Sequence, residues 1–146
     1  MDILLVDDDQ VDRAYVKRVL NKSQLAVKIV EAKTVDEGLD IFRKQHFDVV
    51  LLDYRMPKRD GIELVIELRS LHSSHNVAIL VMSHVDDESI ALNCIKEGAQ
   101  DFILKPEISV SKLRSAILHS QIRYELEAKL YLSHKNAKTL AETDTL

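Results

Sequence analysis

Apolar residues in this chain fall into short runs that alternate, five times over, with stretches of helical spacing. The first run, residues 3–6, stops at Asp7-Asp8-Asp9, and Tyr15, Val16, Val19 and Leu20 then recur with helical periodicity. Residues 27–30 form a second, weaker run. Thr34 followed by Glu37 reads as a capping box opening a helix whose apolar stripe is Val35, Leu39 and Phe42. Residues 49–52 are wholly apolar, as suits a strand buried on both faces, and they stop at Asp53. Met56-Pro57 and Asp60-Gly61 then turn the chain. Asp60 and Glu63 are placed to cap and charge a third helix with the stripe Leu64, Leu68 and Leu71. A fourth run, residues 77–82, ends in Ser83. Ile90, Ala91, Cys94 and Ile95 line a fourth helix, and Gly98 is a C-terminal stop. Residues 102–104 form a fifth run ending in Lys105-Pro106, and a last helix begins near Ser109.

Strands alternating with helices imply right-handed crossovers and an α/β, doubly wound parallel sheet with helices on both faces. The first, third and fourth runs are the strongest, so they belong in the centre; the order 2-1-3-4-5 puts them there and leaves the weaker two at the edges. A length of 146 residues suits one such domain. A net charge of −4 argues against a nucleic-acid-binding surface in this chain. The one cysteine, Cys94, permits no internal disulfide, fits a reducing cytoplasm, and reads as a small core residue. No apolar run approaches the roughly 20 residues needed to span a bilayer, and the N-terminus reads as a strand start, not a signal peptide.

In this topology the first, third, fourth and fifth strands end on one edge, which gathers Asp7, Asp8, Asp53, Ser83 and Lys105. Each has an ordinary explanation when taken alone: helix caps for the acids, a backbone-bonded hydroxyl for Ser83, a solvated surface cation for Lys105. Their order along the chain is what overturns those readings. Converging carboxylates repel, which a divalent cation and a nearby ammonium relieve. An all-oxygen site suits Mg²⁺. Such a site fits phosphoryl transfer, in which a carboxylate attacks phosphorus and becomes an acyl phosphate. The six histidines show no metal-ligand spacing.

Together, Leu5-Val6-Asp7-Asp8, Leu52-Asp53-Tyr54-Arg55-Met56-Pro57 with Asp60-Gly61, Met82-Ser83, Gly98-Ala99 with Asp101-Phe102, and Lys105-Pro106 resemble the receiver domains of two-component response regulators. The resemblance covers residues 1–122 and implies a flavodoxin-like fold. It implies that Asp53 accepts a phosphoryl group from the phosphohistidine of a histidine kinase or phosphotransfer protein. It further implies that Asp8, Asp53 and the backbone carbonyl of Arg55 ligate Mg²⁺, with Asp7 acting through metal-bound water. Lys105 would pair with the phosphoryl group, Ser83 would hydrogen-bond it, and Phe102 would be the aromatic that turns inward with Ser83. A cis Lys105–Pro106 peptide is expected on the same basis. The chain departs from the family pattern at His84, where a small residue is usual, and this ring is expected to slow loss of the phosphoryl group. Arg55 is a cation able to reach over the site, Val85 offers no polar partner on the opposite rim, and Phe102 lacks a hydroxyl.

Residues 123–146 continue with strong helix formers. Leu126, Leu130, Ser133, Ala137 and Leu140 have the 4-3-4-3 spacing of a short coiled-coil seam, so a homodimer through the last helix is expected. Leu140-Ala141-Glu142-Thr143-Asp144-Thr145-Leu146 looks like the segment that opens GGDEF diguanylate cyclase domains. The expected function is thus a phosphorylation-controlled switch, not itself an enzyme, that drives an output domain past residue 146. A stand-alone adaptor is the alternative. A phosphatase with Asp53 as nucleophile would want a second acid where Arg55 stands.

Overall fold

Val49–Asp53 forms the middle strand, β3, and all of its residues are buried. The computed structural model describes residues 1–71 and 77–144; along the last helix, side chains are described through Arg123 and then at positions 125–127, 129, 130, 132 and 133. Around β3 the chain lays down β1 (Asp2–Val6), α1 (Gln10–Asn21), β2 (Lys28–Ala32), α2 (Val35–Lys44), α3 (Gly61–Ser70), β4 (Ala78–Ser83), α4 (Glu88–Lys96), β5 (Asp101–Leu104) and α5 (Val110–Asp144). The strands are all parallel, in the order β2-β1-β3-β4-β5. The weak runs are indeed the edges: β2 and β5 are only partly buried, whereas β4 is buried throughout.

Alternation along the strands divides the core into two layers. Leu4, Val6, Val50, Leu52, Ile79 and Val81 point to one face, against Leu39 and Phe42 of α2, Leu64, Val65 and Leu68 of α3, and Cys94 of α4. Ile3, Leu5, Val49, Leu51, Leu80 and Met82 point to the other, against Val16, Val19 and Leu20 of α1 and Leu113 and Ile117 of α5. Each such side chain, fully buried, contributes roughly 1.5–3 kcal/mol. A one-residue slip of any central strand would exchange the two layers, so the register is strongly specified. That register sets Asp53 beside Met82 and Ser83 beside Leu104. The polar residues at the strand ends therefore share one edge because the apolar residues behind them are locked.

The helix starts follow local chemistry. Asp9 caps α1, accepting from the amides of Val11 (2.8 Å) and Asp12 (3.2 Å). Thr34 Oγ1 accepts from Glu37 N at 3.1 Å, while the Glu37 carboxylate accepts from Lys33 N at 3.3 Å, one residue before the usual partner. Asp60 precedes α3 without a side-chain cap bond; the turn closes instead through Gly61 N to Tyr54 O at 2.6 Å. Gly98, at φ +121°, ends α4 as expected. Ile95 departs from the expected stripe and is exposed, because α4 offers the core little beyond Cys94 and Ile95 lies one position round the helix from it. Tyr15 is also partly exposed, yet its hydroxyl donates to Ile108 O at 2.7 Å and ties α1 to the approach of α5.

Lys105–Pro106 is trans, contrary to the sequence expectation. Lys105–Glu107 forms a 3₁₀ turn closed by Ile108 N to Lys105 O at 3.1 Å. Pro106 is the second residue of that turn, where its fixed φ and missing N–H are tolerated. Lys105 leaves the end of β5 already aimed along the sheet edge, so no cis bend is needed to direct it.

Helix α5 runs for 35 residues, about 50 Å at 1.5 Å per residue. Its first turns bury Leu113, Ile117 and Ser120, and Arg123 Nη1 donates to Gln100 O at 2.8 Å. Beyond Arg123, Leu126, Leu130 and Leu132 are exposed. Ser133 is exposed too, whereas the Ala137 and Leu140 side chains and residues Thr145 and Leu146 lie outside the described residues.

The loop between Asp53 and α3 is anchored by Arg59, which pairs with Asp36 of α2 at 2.6 Å and with Glu67 of α3. It returns so closely to β3 that a Cβ on Gly61 would collide with the backbone oxygen of Asp53 and with Leu52 Cδ1. Glycine is needed here for space, not for an unusual φ. Gly61→Ala is expected to lower stability by about 1–3 kcal/mol, read as a lower urea midpoint, because backbone and a buried leucine must both shift.

Candidate acceptor and metal site

The C-terminal edge of the sheet holds two acids that follow β1, one acid and one hydroxyl that end β3 and β4, and one lysine just past β5. Asp7 is fully buried. Its Oδ1 accepts from Asp9 N at 2.9 Å and its Oδ2 from Lys105 Nζ at 2.7 Å. Arg13, also buried, donates from Nη1 to the Asp7 carbonyl at 2.6 Å and pairs with Glu31 at 3.2 Å. The end of β1 is thus held by both its backbone and its side chain.

Lys105 Nζ lies 2.7 Å from Asp7, 2.8 Å from Asp12 and 3.3 Å from Asp53. An ammonium has three donors, and three carboxylates meet them. Burial works against the charged form of Lys105, but the hydrogen bonds to Asp12 and Asp7 and the nearby Asp53 charge outweigh it, so its pKa stands above the ordinary lysine value. Asp53 is the opposite case. Burial, with the Asp7 charge beside it, raises its carboxyl from 3.8 to about 6, against the pull of Lys105. Burial also opposes ionisation of Asp12, but its hydrogen bonds to Lys105 and His84 hold it below the ordinary range.

Asp7, Asp8 and Asp53 each offer an oxygen, all within 4.8 Å of one another. Asp8 faces solvent while the other two are buried. Three hard oxygen donors with open access on one side fit a small divalent cation that keeps several waters, which is the chemistry of Mg²⁺. Ser83 Oγ accepts from Val85 N at 3.0 Å, as a strand-end hydroxyl commonly does, and its own proton is left to donate. Asp53, Asp8, Asp12, Ser83, His84 and Lys105 line a cavity of about 230 Å³.

Every acid, hydroxyl and lysine that sequence reasoning placed at this edge is present there. Arg55 and Val85 stand at the rim, with the Arg55 guanidinium 5.9 Å from the centre of the Tyr54 ring. His84 reaches across to Asp12, Nε2 to Oδ2 at 3.2 Å. Phe102 lies outside this cavity; it lines a larger depression of about 550 Å³ between α4, β5 and α5. That depression lacks the buried acids and ammonium of the smaller one, so the chemistry belongs to the smaller. Sequence reasoning missed Asp12 and Arg13. Asp12 follows Asp8 by one helical turn, which could have flagged it, but an acid in the first turn of a helix is ordinary. Cys94 is buried, and burial raises its thiol to about 11, so it is an inert core residue.

The raised Asp53 pKa has a definite sign in stability. Between 3.8 and about 6 the folded chain binds more protons than the unfolded chain, so stability falls as pH rises through that window, by up to about 3 kcal/mol. Asp53→Asn removes the charge and should raise the urea midpoint at pH 8 in chelator-treated buffer. The gain should shrink as pH drops from about 6 toward 4.

Comparison with known proteins agrees with this geometry. The family model described as the response regulator receiver domain matches residues 3–118. The chain is 30% identical over 157 residues to the two-component response regulator ARR5 of Arabidopsis thaliana, covering 93% of this chain and 85% of that protein. Among solved structures it resembles the signal receiver domain of the putative response regulator NarL from Mycobacterium tuberculosis, at a TM-score of 0.72 and 30% identity, over 80% of this chain and 92% of that one. It also resembles a probable two-component system response regulator/GGDEF domain protein, at a TM-score of 0.76 and 30% identity, over 86% of this chain and 50% of that one.

Proposed function

This chain belongs to the response regulator receiver domain family, and from that premise we propose that Asp53 is its phosphoacceptor, charged by a histidine kinase or a phosphotransfer protein. Response regulators receive phosphoryl groups from histidine kinases, and receiver domains bind Mg²⁺ at an acidic pocket. The observation that carries the assignment is the Lys105 ammonium held at the Asp53 carboxylate inside a pocket whose acids can hold a cation.

In the proposed step an Asp53 carboxylate oxygen bonds to phosphorus as the phosphorus–nitrogen bond of phosphohistidine breaks, and the imidazole leaves with its electron pair. The acid must be ionised to attack. Lys105 favours that form, and lies where it can donate to the incoming phosphoryl oxygens. Asp8, Asp53 and the Arg55 carbonyl would hold Mg²⁺, with Asp7 acting through bound water; the ion, when bound, neutralises charge on the transferred group. Ser83 keeps a proton for a phosphoryl oxygen. Its movement would make room for Phe102, which is half-buried against the core and sits in register with Val81, to turn inward and alter the α4–β5–α5 face. The His84 ring, at the mouth, crowds attacking water and prolongs the acyl phosphate.

The unit that carries this chemistry is residues 1–122, and residues 123–146 transmit its state. Exposed Leu126 and Leu130 on the long α5 favour pairing with a second copy. A longer protein with a GGDEF output past residue 146 fits both the resemblance of residues 140–146 and the match to half of a receiver/GGDEF protein. A stand-alone adaptor is the second reading, favoured by the 85% coverage of ARR5, most of whose length this chain spans. No helix among the described residues is long and apolar enough to cross a membrane. We place the protein in the cytoplasm.

Acetyl phosphate with Mg²⁺ should label Asp53, seen as a mass increase that chelation of the metal prevents. Asp53→Asn should lose the label, and full labelling of that variant would refute the assignment. Sedimentation should show the intact chain dimerising weakly, more so with a phosphoryl donor. A chain ending at Arg123 and the pair Leu126→Asp with Leu130→Asp should remain monomeric; equal monomers throughout would favour the adaptor.

A further inference from the structure

We propose that Asp12 is a positioning residue for phosphoryl transfer: from the first turn of α1 it holds both the Lys105 ammonium and the His84 ring, and so restrains the mouth of the acceptor pocket. The inference rests on Asp53 being the phosphoacceptor. A single oxygen, Asp12 Oδ2, meets Lys105 Nζ at 2.8 Å and His84 Nε2 at 3.2 Å. Three elements are joined there: the start of α1, the loop after β4 and the residue after β5. The Lys105 contact to Asp12 is shorter than its contact to Asp53 at 3.3 Å, so Asp12 competes for the donor that a phosphoryl oxygen requires. Asp12 and His84 both line the acceptor cavity. Their contact spans it from the α1 side to the end of β4 and the loop after it, which carry Ser83, His84 and Val85.

Two consequences act in the same direction. A fixed negative charge in the cavity that Asp53 also lines opposes the build-up of anionic charge when a phosphoryl group arrives, and again when water removes it. An anchored His84 narrows the approach for both donor and water. Asp12 therefore restrains phosphoryl entry and phosphoryl loss alike. The His84 side chain is more than half exposed, so the restraint is modest, roughly two- to fivefold in rate.

The test uses the full chain with acetyl phosphate and Mg²⁺, following label on Asp53 by mass, and then its decay after donor removal. Asp12→Ala should raise both rates roughly two- to fivefold. Asp12→Glu keeps the charge on a longer arm and should retain more of the restraint than Asp12→Ala. His84→Ala should also speed decay. In the double variant the two effects should fall short of their product, since the residues act through one contact. Asp12→Asn, which keeps the shape without the charge, serves where Asp12→Ala fails to fold, and should raise both rates. Unchanged or slower labelling in folded Asp12 variants, or effects that multiply independently, would overturn the proposal while leaving Asp53 as acceptor. Failure of the unaltered chain to label Asp53 would instead overturn the acceptor assignment itself.

Discussion

A buried ammonium, Lys105, placed among Asp7, Asp12 and Asp53 is the interaction on which the site depends. Three carboxylates at one sheet edge would otherwise repel, and burying them would protonate at least one. Asp53 shows how close the balance is: burial raises its carboxyl to about 6 even with Lys105 alongside. The cost of holding this charge out of water is distributed. Asp7 is satisfied by the Asp9 amide as well as by Lys105, and its carbonyl by Arg13. Asp12 takes up the remaining donor. A receptive but incompletely neutralised acid is what a cation and a phosphoryl group can then complete.

The sheet makes that balance possible by rigid delivery. Leu5, Leu51 and Leu80 lie side by side across the three central strands, and their burial locks the register. The strand ends then emerge at fixed offsets, Asp53 beside Met82 and Ser83 beside Leu104. Gly61 serves the same purpose from outside the sheet, because its missing side chain lets α3 start against the Asp53 carbonyl. The stability of the two apolar layers is what supports a charged edge.

Helix α5 belongs to two environments. Its first turns complete one apolar layer through Leu113 and Ile117. Beyond Arg123 it carries exposed leucines, so helix propensity and continuity with the anchored turns, not packing against the domain, must support it there. Under the proposed function, the chemical state of Asp53 would reach the pairing of this helix through the face made by α4, β5 and α5, where Phe102 lines a depression of about 550 Å³.

The sequence by itself determined the alternation of strands and helices, the central and edge strands, and the gathering of Asp7, Asp8, Asp53, Ser83 and Lys105 at one edge. Those features follow from period-two and period-3.6 patterning and from where apolar runs stop, both of which are local. Only the tertiary structure decided that Asp12 joins Lys105 to His84, that Arg13 holds the Asp7 carbonyl, that Ile95 is exposed, and that Lys105–Pro106 is trans. Asp12 lies 93 positions from Lys105 and 72 from His84, and no local pattern encodes such contacts. They arise because parallel strands bring distant segments to one edge, where a long, charged side chain is shared by whichever acids the packing leaves within reach.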